Sequence, residues 1–164
     1  MTAEQVRGED IDPGDEIGPL VKNPDSAQVQ AFLTVWNPGA PTGSDRGPMS
    51  RFTDADAAGR DGFAGPILPG SMCQAFLAQL LTDWAGPAGR LRSLDVNFRR
   101  PVRHGQELRC IGLVTDKHEE DDRTVVHVDV FIEDPRGDRL TQGVAEVVIP
   151  TRLQGTPAGQ SPLA

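Results

Sequence analysis

The most regular pattern in the chain is helical. Cys73, Phe76, Leu77, Leu80, Leu81 and Trp84 recur at three- and four-residue spacing, and Met72, Ala75 and Ala78 widen the same face. This spacing predicts a heavily buried helix over residues 71–84. Ser71 followed by Gln74 has the order of a capping box, and Gly86-Pro87 supplies the stop. Upstream, Val29, Phe32, Leu33 and Trp36 repeat with the same period after Asn23-Pro24-Asp25-Ser26, which predicts a shorter amphipathic helix. One more helical turn is expected over residues 54–60, with Thr53 or Asp54 as its cap.

Beyond Gly86 the period changes to alternation. Leu94, Val96 and Phe98 point one way and Ser93, Asp95 and Asn97 the other. Residues 108–114, 126–132 and 144–149 continue the strand pattern. His104-Gly105 marks a turn between the first two strands, and residues 133–138 a stronger one between the last two, so antiparallel pairing follows. A turn over residues 11–16 leads into a short strand at 17–21. One long buried helix followed by an antiparallel meander gives an α+β layer in which the sheet wraps the helix.

The chain has 164 residues, which suits a single core. That core is expected over residues 11–150, with a flexible N-terminus at 1–10 and a flexible C-terminal tail at 151–164. Residues 37–70 form a long irregular stretch rich in Gly, Pro, Asp and Ala, and stretches of that length in compact domains are usually functional or disordered. No apolar run approaches the length of a membrane span, and the opening ten residues lack the order of a signal peptide, so a soluble cytoplasmic protein without a membrane role is expected.

The net charge of −8 argues against a surface devoted to nucleic acid. Against that background Arg90, Arg92, Arg99, Arg100, Arg103 and Arg109 crowd into one stretch with only Asp95 and Glu107 as acids. Such a cluster either meets a phosphorylated ligand or lies solvated along a strand edge. Cys73 and Cys110 have no companions at metal-ligand spacing, so two buried thiols, no metal and no cofactor are expected. His104, His118 and His127 fall in a turn, a charged loop and a strand, where structural or solvated roles are expected.

Several segments together resemble the MaoC-like family, which includes (R)-specific enoyl-CoA hydratases and acyl dehydratases of hotdog fold. They are Pro13-Gly14-Asp15-Glu16, Trp36-Asn37-Pro38, the run from Gly62-Phe63 through Pro66-Ile67-Leu68-Pro69-Gly70, then Phe98-x-x-Pro101-Val102-x-x-Gly105 and Gly143-x-Ala145-x-Val147. The resemblance spans roughly residues 12–150 and implies a single hotdog domain that dimerises. It also implies addition of water to, or its removal from, an acyl thioester carried by coenzyme A or a carrier-protein arm.

In that family an Asp and a His in the order Asp-x-Asn-Pro-x-His polarise a water, and N–H groups opening the central helix hold the thioester carbonyl. Aligned on Asn37-Pro38, the Asp and His positions hold Val35 and Ala40; counted back from Gly62-Phe63, they hold Gly47 and Phe52, with Asp54 at a secondary acidic position. Residues 39–49 lengthen the same loop. The resemblance therefore leaves Gly70 and Ser71 as the thioester-binding helix terminus, and Asp54 and Asp45 as candidate replacement acid–base groups, with Arg51 as a charge partner. Asp54 also suits a purely structural cap, and Cys73 suits core packing.

The pocket is expected at a dimer seam, walled by Trp36, Asn37, Phe52, Phe63, Ile67, Leu68 and Cys73, with residues 37–69 as its lid. Arg99 and Arg103, expected on one strand face, are the candidate phosphate contacts. Three readings stay open: a hydratase or dehydratase with a relocated acid–base group, a catalytically silent subunit that pairs with an active hotdog chain, and a hotdog cyclase, isomerase or thioesterase.

Overall fold

The computed structural model describes residues 5–36, 38 and 49–151. Its sheet is built where β-branched residues alternate. In β4 (Arg123–Glu133), Val126, Val128, Val130 and Ile132 are fully buried on one face, while His127, Asp129 and Phe131 occupy the other. β3 (Leu108–Glu120) and β5 (Arg139–Pro150) flank β4, and β1 (Glu16–Lys22) and β2 (Arg90–Phe98) form the two edges. The order is β1-β3-β4-β5-β2, antiparallel throughout. The β4–β5 turn is fixed by Asp134, whose Oδ1 accepts from the N–H groups of Arg136 at 2.9 Å and Asp138 at 3.0 Å. Those donors hold its carboxyl below the usual range.

The long helix α3 (Gly70–Ala85) lies in the concave face of this sheet and touches every strand. Met72, Cys73, Leu77, Leu80, Leu81 and Ala85 are its buried side, as the periodicity requires, whereas Ala75 faces solvent. Its start differs from the sequence expectation. The cap is Pro69, no side chain bonds there, and Ser71 Oγ is buried with no hydrogen-bond partner among the described residues. The expected Ser71–Gln74 capping box is therefore absent, because the helix begins one residue earlier and carries Ser71 inside its first turn.

A reciprocal cap forms instead at α1 (Ser26–Trp36). Asp25 Oδ1 accepts from Gln28 N at 2.8 Å, and Gln28 Oε1 accepts from Asp25 N at 3.0 Å. In the N-terminal segment, residues 5–10 make contacts to distant parts of the chain. Gln5 donates to Ala85 O and accepts from Ala88 N, both at 2.8 Å, and Gly8 packs so tightly on Thr124 that a Cβ there would sit 1.7 Å from its Oγ1. Of the expected C-terminal tail only Thr151 lies within the described residues, and it bonds Glu119 at 2.7 Å.

Candidate functional site

The approach to α3 is an extended run held from both sides. Ile67 N donates to Arg51 O at 3.3 Å, Leu68 N donates to Val102 O at 2.7 Å, and Ile67 bridges Arg103. These bonds fix Pro69, and its carbonyl takes the N–H groups of Met72 at 3.0 Å and Cys73 at 3.4 Å. The N–H groups of Gly70 and Ser71 then have no acceptor among the described residues. They are the unpaired donors that open any helix, and here they carry the positive end of a 16-residue dipole.

Beside that terminus is a cleft of about 280 Å³. Phe63, Ile67, Leu68, Phe98, Pro101 and Val102 supply its apolar wall. Gly70 lies at its edge beneath the Phe98 ring, at a distance that leaves no room for a side chain: a Cβ would meet ring carbons at 2.8 Å. Cys73 and Thr141 also line it. Burial pushes the Cys73 thiol up to about 11, so it is a protonated thiol at neutral pH. Arg99 and Arg100 border the cleft beyond β2.

Of the residues expected in the pocket, Phe63, Ile67, Leu68 and Cys73 are brought together there, with Gly70. Ser71 and Phe52 are not part of this wall; Phe52 is half-buried against the core. Asn37 and Asp45 lie outside the described residues, as does the side chain of Trp36. Sequence reasoning missed the cleft roles of Phe98, Thr141 and Val102. Phe98 was legible as an inward residue by alternation, but its pairing with Thr141 across β2 and β5 is a long-range register.

Asp54 caps the short helix α2 (Ala55–Arg60), its Oδ1 accepting from Ala57 N at 2.7 Å. It is not among the cleft-lining residues, and Arg51, expected as its charge partner, pairs instead with Asp61 at 3.2 Å. Replacing Asp54 by alanine is expected to destabilise the fold by about 1 kcal/mol, while asparagine, an equivalent cap, should leave stability within about 0.5 kcal/mol. Urea unfolding of the two variants checks this. Because Asp54→Asn keeps the cap, any loss of turnover in it reports on proton transfer alone.

Three of the six arginines of the stretch are ion-paired among the described residues. Arg92 makes a forked contact to Glu120 at 2.7 and 3.1 Å, Arg100 reaches Asp138 at 3.5 Å and Arg109 reaches Glu107 at 3.3 Å. Arg92 first, and then His118, hold the Glu120 carboxyl down at about 2. His118 stacks on His127 outside the helix-covered face, and His104 Nδ1 lies 2.9 Å from Ser26 Oγ. Arg99 and Arg103 do not share a strand face, because β2 ends at Phe98. Arg99 turns to the Gln142 side-chain amide, which, oriented with its oxygen toward the guanidinium, accepts from Nη2 at 2.9 Å and Nε at 3.1 Å. Gln142 neighbours Asn97 in register, on the opposite side of the sheet from Phe98 and Thr141. Among the described residues no cluster of three or more His, Cys, Asp or Glu side chains is placed to hold a metal ion, and no helix is long and apolar enough to cross a membrane.

A central helix wrapped by a five-stranded antiparallel sheet defines a hotdog domain, and solved structures agree. The chain is similar to the (R)-hydratase of A. caviae involved in PHA biosynthesis, at 22% identity and a TM-score of 0.72 over 87% of this chain and 100% of that one. The MaoC-like dehydratase of Rhodospirillum rubrum gives 22% and 0.73, over 90% and 99%. A chain of the ChsH1–ChsH2 complex of Mycobacterium tuberculosis gives 17% and 0.67, over 84% and 97%. Among curated protein sequences none matches. The chain belongs to the MaoC-like domain family, whose model matches residues 52–134, just over half of its length.

Proposed function

We propose that the protein binds an acyl thioester in the cleft at the start of α3 and serves hydration or dehydration of that thioester as the acyl-binding half of a paired hotdog assembly. The observation that carries this reading is the pair of unpaired N–H groups of Gly70 and Ser71 beside an apolar cleft. An acyl chain gains by leaving water there, at roughly 25 cal/mol per Å² of apolar surface. The thioester oxygen, which gains negative charge as an enolate forms, is met by fixed donors at the positive end of the helix.

Proton transfer needs a group that gives and takes a proton near neutral pH. The residues of the described cleft wall are apolar apart from Cys73, whose thiol is protonated, Thr141, Arg99 and Arg100, and none of them carries a carboxylate or an imidazole. Where the related hydratases' motif has Asp and His, alignment on Asn37-Pro38 gives Val35 and Ala40. The acid–base groups then come from a second hotdog chain that shares the cleft. The ChsH1–ChsH2 assembly, by its own description a complex of two components, supports a heteromeric arrangement. The second reading, in which the chain acts alone, rests on Asp45 and Asp54; the engagement of Asp54 Oδ1 by Ala57 N makes it the weaker one.

The test is crotonyl-CoA with the purified protein, followed by calorimetric binding, by loss of enoyl-thioester absorbance and by solution mass. Micromolar binding without turnover supports the binding half. Turnover by the protein alone establishes the self-sufficient hydratase and makes Asp54→Asn the next variant. Absence of binding removes the thioester from the cleft.

A further inference from the structure

The face of the sheet away from α3 carries a histidine pair that the cleft does not use. His118 near the end of β3 and His127 in β4 stack with ring centroids 5.3 Å apart and planes at 27°. His127 Nε2 lies 3.3 Å from His118 Nδ1. The two outward nitrogens face carboxylates: His118 Nε2 is 3.2 Å from Glu120 Oε1, and His127 Nδ1 is 3.8 Å from Glu146 Oε1. Arg92 of β2 forks onto Glu120 and reaches Glu146 at 3.9 Å, which tethers both carboxylates. Each carboxylate favours the tautomer that carries its proton on the outward nitrogen. Two lone pairs then face each other across 3.3 Å, which is costly unless a proton or a cation lies between them.

We propose that His118 and His127 chelate a divalent transition-metal cation of the zinc class, with Glu120 and Glu146 as the carboxylates behind the rings and water in the remaining positions. Imidazole nitrogens sit about 2.0–2.1 Å from zinc, so two of them on a tetrahedral ion are about 3.4 Å apart. The 3.3 Å between the inward nitrogens matches that bite. Two rings are fewer than a closed structural site uses, so this is an open site, in keeping with side chains that are 47% and 34% exposed. Glu120 and Glu146 set two negative charges against the single positive charge of Arg92, a balance that favours a cation. Burial pushes the Cys73 and Cys110 thiols up to about 11 and about 12, so they stay protonated and do not compete. A cation bound there joins β3 to β4, and Arg92 extends the link to the edge strand β2.

The probe is Zn²⁺ alone, titrated at neutral pH into the full chain without a histidine tag and followed by calorimetry, thermal unfolding and the imidazole resonances. The wild type is expected to bind it and to gain in Tm, and the signals of His118 and His127 should shift while that of His104 stays in place. His104→Gln, away from the pair, should bind as the wild type does. His118→Gln and His127→Gln should each lose more than about tenfold in affinity. Glu120→Gln and Glu146→Gln should lose about tenfold, the usual effect of removing a carboxylate behind a ligating ring. All four side chains are partly exposed, so the variants fold. Failure of the wild type to bind overturns the inference. Binding that survives undiminished in either His118→Gln or His127→Gln also overturns it and marks an adventitious ion only.

Discussion

Replacing Gly143 by alanine is expected to destabilise the protein by about 3 kcal/mol, the upper part of the range for overpacking at a site that cannot relax. Gly143 sits in the middle of β5 opposite Val96 of β2, and a Cβ there would lie 2.0 Å from Asp95 O and 2.9 Å from Val96 Cα. Both neighbours are backbone, so no side chain can swing aside and the β5–β2 ladder itself must open. The internal control is Gly59→Ala in α2, where a Cβ meets nothing within 4 Å. That substitution is expected to stabilise by about 0.5–1 kcal/mol through helix propensity and a less flexible unfolded chain. Urea midpoints measured on both variants should move in opposite directions. A Gly143→Ala midpoint equal to wild type would mean that β2 and β5 do not approach as closely as this. The stakes are functional too, because the same ladder brings Phe98 and Thr141 together at the cleft.

The second large effect is expected in binding rather than stability. Gly70→Ala places a methyl group against Phe98 Cε2 and Cζ at 2.8 Å, so the ring, half exposed at the end of an edge strand and part of the cleft wall, must shift. Acyl-thioester affinity should fall tenfold or more. Stability should hold or rise, since alanine is preferred to glycine in a helix by up to about 1 kcal/mol. Opposite movement of the two quantities separates a blocked site from a damaged fold. Adding Phe98→Ala removes the ring that the methyl strikes, and should recover most of the lost affinity. Calorimetric titration of crotonyl-CoA into the single and double variants measures the coupling. Additive losses would show that the ring and the glycine act independently.

How much of this was legible beforehand differs sharply between elements and contacts. The buried stripe from Cys73 to Trp84 announced α3, and the alternation from Leu94 onward announced β2 to β5. Both signals are local, arising from the 3.6- and 2-residue periods with which side chains leave a helix and a strand. The resemblance carried by Gly62-Phe63, Pro66-Ile67-Leu68-Pro69-Gly70 and Phe98-x-x-Pro101 placed the cleft near the start of the long helix, where Phe63, Ile67, Leu68 and Gly70 meet.

Local rules misassigned residues whose partners come from elsewhere in the chain. Ser71 has the chemistry of a cap, but the bond from Leu68 N to Val102 O helps set where the run before α3 ends, and Pro69 takes the cap position. Gln5 belongs to a segment without pattern, yet it finds Ala85 and Ala88 some eighty residues away. Arg99 and Arg103 keep strand spacing in the sequence, but β2 stops at Phe98 and Gln142 draws the first guanidinium to the other side of the sheet. The sequence by itself determined which segments are helix or strand and which face of each is apolar, because those follow from neighbours a few residues apart. Only the tertiary structure decided that Thr141, Phe98, Cys73 and Gly70 share one cleft, because that depends on the register of β2 against β5 and on where α3 docks, contacts that no local periodicity encodes.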